Sequence, residues 1–201
     1  MPRSRLETQR THDPTVLRAI AHPMRNRILN EMSATGPTRA ADIAQDLGIP
    51  ANQASFHLRQ LAKYGLVEEA VGAGRDKRDR VWKLVAEDGI SLTMQDFEDS
   101  PGGKAAVTVF RRNASAWAHT IVDAAYSPDH VEDTIQTITE QSIRLTKAEA
   151  EELAGEIDLI LQKWTKKNRG RDESRGTYQY FSILQPYPDL PDGPVSANAP
   201  K

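Results

Sequence analysis

The 201-residue chain has no cysteine, which removes disulfides and thiolate metal sites and fits a reducing, cytoplasmic setting. No run approaches the roughly 18 consecutive apolar residues that a membrane-spanning helix needs. The opening "MPRSRLETQRTHDP" is charged and lacks the apolar core of a secretory signal. Chemistry-bearing motifs are scarce too. There is no Gly-rich phosphate loop, nucleophile elbow, metal-ligand pair or cysteine nucleophile. Acidic pairs such as Glu151–Glu152 fall on a solvated helix face, where their role is electrostatic. An enzyme is therefore not expected, and neither is a cofactor.

The net charge of −2 hides a split. Residues 1–85 carry 14 Lys+Arg against 9 Asp+Glu, and residues 86–201 carry 12 against 19. A basic first half beside an acidic second half suggests that the first half meets a polyanion.

Helix punctuation is clear in the first half. Asp13 and Pro14 open a helix that Pro23 breaks after His22, and a second helix over about 23–33 ends before "TGP". Thr38 is placed to cap a third helix over about 39–47, and Gly48 and Pro50 form the turn into a fourth over about 51–64. After Gly65 the period changes. "LVEEA" and "RVWKLV" read as strands of a hairpin whose glycine-containing tip, about 71–80, carries Arg75, Lys77, Arg78 and Arg80. The acidic stretch 86–103 shows no period. A long helix over about 103–126 carries the apolar stripe Val107, Phe110, Ala114, Trp117, Ile121 and Ala124. Residues 129–145 fit a helix or a strand. Thr146 and Glu149 form a capping box for a further helix with Leu153, Ile157, Ile160, Leu161 and Trp164 on one stripe. "TYQYFSILQPYP" (177–188) reads as a late strand, and the proline-rich end as a disordered tail.

A helical wheel of residues 51–64 separates two faces. Ala54, Leu58 and Leu61 cluster on one, whereas Asn52, Phe56, Arg59 and Lys63 lie within about 40° of the opposite pole, with Gln60 about 60° from it. Gln53 and Ser55 flank the outer face, and His57 falls at the margin of the buried one. The outer set suits a major groove: amides pair with adenine, Arg with guanine, and an apolar ring packs on a thymine methyl. Lys63 suits phosphate. The plainer account is a solvated face with one stray aromatic. The basic hairpin just beyond it tips the balance, because such a wing can follow the backbone or enter the minor groove.

These residues carry a resemblance. "ADIAQDLGIPANQASFHLRQLAKYGLVEE" followed by "RVWKL", with "HPMRNRIL" before it, resembles the DNA-binding core of ArsR-type winged helix-turn-helix transcriptional regulators over about residues 13–85. The resemblance implies DNA contacts at Gln53, Ser55 and His57, and Thr38 and Arg39 are expected at DNA as well. The metal-sensing branch is not matched: its cysteine pair is missing, and the histidines at 12, 22, 57, 119 and 130 are scattered. His130 with Glu132 and Asp133 reads better as a solvated helix start than as a metal site.

The expected architecture is mainly α with a small β component (α+β). It comprises a flexible arm (1–12), a winged helix-turn-helix domain (13–85), a linker (86–101), a helical α+β dimerisation and effector region (102–186), and the tail (187–201). Since one recognition helix covers few base pairs, a homodimer on a palindromic duplex is expected, through the stripes listed above. A dimer on a promoter excludes polymerase, so repression is the expected outcome. No residue names a small-molecule effector. The alternative is a winged-helix protein-docking module with Phe56 as its anchor.

Overall fold

The computed structural model describes residues 14–74, 79–86, 94–98, 101–129, 131–172 and 174–186. The arm 1–12, the residues Arg75, Lys77, Arg78 and His130, and the tail 187–201 lie outside that description. Helices α1 (Pro14–Ile20) and α2 (Pro23–Thr35) are separated where Pro23 denies α1 its continuation. They are followed by β1 (Thr38–Arg39), α3 (Ala40–Leu47), α4 (Ala51–Lys63), and strands β2 (Val67–Glu69) and β3 (Val81–Leu84). A short α5 (Met94–Glu98) leads to the long helices α6 (Gly103–Ala125) and α7 (Lys147–Asn168). The sheet is antiparallel with order β1-β3-β2, Thr38 opposite Trp82 and Val67 opposite Leu84.

The larger core lies inside the first half. Ile28 and Met32 of α2, Ile43 of α3, and Ala54, Leu58 and Leu61 of α4 are fully buried, and Trp82 and Leu84 close it from the sheet. A smaller core joins Leu17 of α1, Phe97 of α5, and Ala106 and Val107 of α6. It welds the base of α6 to the first half, and Asn113 Nδ2 adds a hydrogen bond to the Ala21 carbonyl at 2.8 Å.

Several expectations change. Thr38 does not cap α3: it pairs in β1, and Arg39 is the residue before the helix. A two-residue strand is too short for an alternating pattern to reveal. The linker contains α5, whose Phe97 is fully buried. Residues 131–145 form neither helix nor strand, and among the described residues the late strand at 177–186 is not formed. The capping box holds, with Glu149 N–H donating to Thr146 Oγ1 and Thr146 N–H to the Glu149 carboxylate.

The two C-terminal stripes part company. Val107 is spent inside the chain, and Phe110 and Trp117 are half-buried against the α1–α2 elbow with Ile121 further along. No residue of α7 is buried, and Ile160 and Trp164 are each 57% exposed. What anchors α7 is its C-terminal exit. Gly170 N–H donates to the Ala34 carbonyl (3.4 Å), Thr177 Oγ1 donates to Glu31 Oε1 (3.1 Å), and Arg171 reaches α3.

Candidate nucleic-acid interface

Helices α3 and α4 are set by the turn between them. Gly48 adopts a left-handed conformation (φ 63°), its N–H donating back to the Ala44 and Gln45 carbonyls, and Ile49 N–H closes on Ala44 at 3.0 Å. That backbone geometry penalises a Cβ, which is why glycine stands there. Pro50 then starts α4, its carbonyl accepting from Gln53 and Ala54 N–H. The helix leaves the turn with Ala54, His57, Leu58 and Leu61 turned inward.

The opposite face is open. Asn52, Gln53, Phe56, Arg59 and Lys63 are exposed, and Ser55 and Gln60 are half-buried at its edges. Phe56 keeps 52% of its surface in solvent between an amide and two cations. Asn52 Oδ1 accepts from Gln53 N–H at 2.9 Å, and Arg59 Nε donates to the Ser55 carbonyl at 3.2 Å. The second bond lays the Arg59 stem along the helix. A row of hydrogen-bonding heads and one ring thus occupies a single exposed helical face.

Two expected contacts face inward instead. Thr38 is 1% exposed, and its hydroxyl accepts from Arg171 Nη2 at 3.1 Å. His57 is 5% exposed and packs against His22, with ring centroids 4.9 Å apart and the planes tilted by 52°. Neither has a surface to offer an outside ligand in this conformation. Arg39 is partly exposed but engaged: its guanidinium forks onto Asp42 (2.8 and 2.9 Å) and comes within 3.9 Å of Asp79 at the foot of β3. The fork holds the Asp42 carboxyl below the usual range. Arg80 is exposed and 3.7 Å from Glu69 across the hairpin, a contact weak enough to exchange for phosphate.

Arg171 was not legible as part of this region. It pairs with Asp46 of α3 across 125 positions and lies 4.0 Å from Asp42. Nothing local in "NRGRDES" marks such a long-range link.

The histidine pair predicts a pH response. His57 Nδ1 is buried without a hydrogen-bond partner among the described residues. Burial first, then the nearby charges of His22 and Arg25, push the His57 pKa below its ordinary 6.5, and burial followed by Arg25 does the same to His22. Tyr64, the other titratable group here, lies under the Arg25 guanidinium at 5.8 Å. With folded values below the unfolded one, the neutral rings stabilise the fold above pH 6.5, and that contribution disappears as pH falls through the folded values. Urea midpoints measured from pH 8 down to 5 should therefore drop below about 6.5, and His57→Gln should flatten that slope.

A family model described as a helix-turn-helix domain matches residues 20–70, spanning α2, β1, α3, α4 and β2. The unit is a winged helix-turn-helix. No curated protein matches the sequence significantly. Among solved structures, similar chains include a mutant of MepR from S. aureus bound to an oligodeoxyribonucleotide (17% identity, 71% of this chain, 78% of that one, TM-score 0.28). A transcriptional regulator from Thermotoga maritima is 13% identical over 78% of this chain and 85% of that one, TM-score 0.29. A MarR-family transcription regulator is 15% identical over 78% of this chain and 79% of that one, TM-score 0.33. Scores at that level do not amount to a shared overall fold, so the winged helix rests on its own elements and on the family model. No helix among the described residues is long and apolar enough to cross a membrane. Among those residues no three metal-ligating side chains converge.

Proposed function

We propose that the protein is a homodimeric, sequence-specific DNA-binding transcriptional regulator of ArsR-like kind, acting by repression. The observation that carries this reading is the outward row Asn52, Phe56, Arg59 and Lys63 on a helix whose other face is fully packed. In this reading α4 enters the major groove and reads base edges, and Lys63 and Arg80 sit against phosphates. Gln53, Ser55 and Gln60 border the row, and the basic wing, about 71–80, meets the backbone or the minor groove. Two-fold symmetry doubles the reading and calls for a palindromic duplex.

The test is selection of bound duplexes from a random pool, followed by competition and a salt titration. Expected are an inverted-repeat sequence and affinity that falls with added salt by a log–log slope of roughly −0.9 per phosphate contacted. Equal affinity for every duplex would remove sequence reading. Absence of binding to any duplex at low salt would return Phe56 to the role of a protein-docking anchor.

A further inference from the structure

Helix α7 carries a pattern that makes poor sense alone. Glu149, Glu152, Glu156, Ile160, Lys163 and Lys167 follow one another at steps of three and four, so they share one edge of the helix, and all six are exposed. The acidic members fill the N-terminal half and the basic ones the C-terminal half. The helix dipole favours that polarity. It does not account for Glu152–Glu156 and Lys163–Lys167, which are like charges at i,i+4 and weaken an isolated helix. Beside this edge runs an apolar seam, Leu153, Ile157, Ile160 and Trp164, none of it buried in the chain. A 22-residue amphipathic helix with no buried residue has an unfilled face.

We propose that α7 pairs antiparallel with α7 of a second copy, across a two-fold axis passing beside Asp158. The pattern is its own complement under that operation. Glu149 and Glu152 of one copy then face Lys167 and Lys163 of the other, and Glu156 falls opposite the partner's Ile160 beside the seam. The seam closes on the same axis, Leu153 against Trp164 and Ile157 against Ile160. Such an interface is isologous, as a closed dimer demands. The pair is about 33 Å long. One helix face falls short of the roughly 800 Å² per partner usual in a stable complex. The extended segments at the two ends of α7 supply more. They meet where Ile135 N–H donates to Tyr178 Oη at 3.4 Å, and they expose Ile135 (70%), Tyr178 (61%) and Ile183 (66%). A nucleic acid would reject this apolar seam, whereas a second copy matches both its charge order and its side chains.

The inference deepens the homodimer in the proposed function and rests on it, but its test needs no DNA. Two variants of the full chain are prepared, E152K and K163E, with helicity checked for each and mass measured by analytical ultracentrifugation. Wild type should sediment as a dimer. In either variant alone like charges face each other at both symmetric 152–163 contacts, and its dimer dissociation constant should rise on the order of tenfold. An equimolar mixture should recover a heterodimer, which relief of a dipole within one chain cannot produce. Monomeric wild type, undiminished dimers in the variants, or a mixture that stays monomeric would each overturn the pairing. Arg59→Ala should leave the mass unchanged, so a failure of DNA reading is separable from a failure here.

Discussion

Phe97→Ala is expected to destabilise the protein by about 3–5 kcal/mol, the cost of emptying a buried aromatic site that cannot collapse fully. Phe97 is 0% exposed and belongs to the small core that Leu17, Ala106 and Val107 complete. Its helix α5 has only 5 residues and no independent stability, so the ring is what holds it between α1 and α6. Removing the ring should loosen α6 from the first half before it disturbs the larger core, in which Phe97 takes no part. Denaturant unfolding should show a lowered midpoint. Hydrogen exchange should show lost protection concentrated in α1 and α6, with α4 retaining more of its own.

Arg59→Ala is expected to cost about 1–3 kcal/mol of affinity for the selected duplex and far less for unrelated DNA. The side chain lies on the exposed face of α4 and makes no contribution to either core. The folded state should therefore be unchanged within about 0.5 kcal/mol, as at other surface positions. The diagnostic outcome is a loss of discrimination rather than of binding. Competition between the selected duplex and single-base variants should show preference relaxed at one position per half-site. Lys63→Ala would instead weaken all duplexes alike.

The sequence was most legible where local chemistry and tertiary packing agree. Gly48 and Pro50 mark the turn by backbone restriction, and the three-and-four spacing of Ala54, Leu58 and Leu61 marks the inner face of α4. Phe56 is apolar yet outward, and the wheel placed it there because geometry, not hydrophobicity, assigns a helical face. His57 shows the opposite limit. Its position at the margin of the wheel is compatible with both directions, and it packs inward with its ring tilted against that of His22 at the α1–α2 elbow. β1 is not legible because two residues carry no period, and α5 because a single buried ring in an acidic stretch gives no stripe. The Arg171–Asp46 link is a product of tertiary folding alone. In the second half, the apolar stripes were readable, but periodicity does not say which neighbour a stripe meets. Val107 meets its own chain, whereas the α7 seam is half-buried at Leu153 and Ile157 and exposed at Ile160 and Trp164.

The most direct measurement of the account is protection of guanine N7 from methylation on the selected duplex, since that atom is reached only through the major groove. Wild-type protein should protect guanines placed symmetrically in the two half-sites, and Arg59→Ala should lose one protection per half-site while leaving the phosphate footprint in place. If guanine N7 stays reactive under saturating wild-type protein, or if Arg59→Ala leaves the pattern intact, α4 does not read the groove and the account fails.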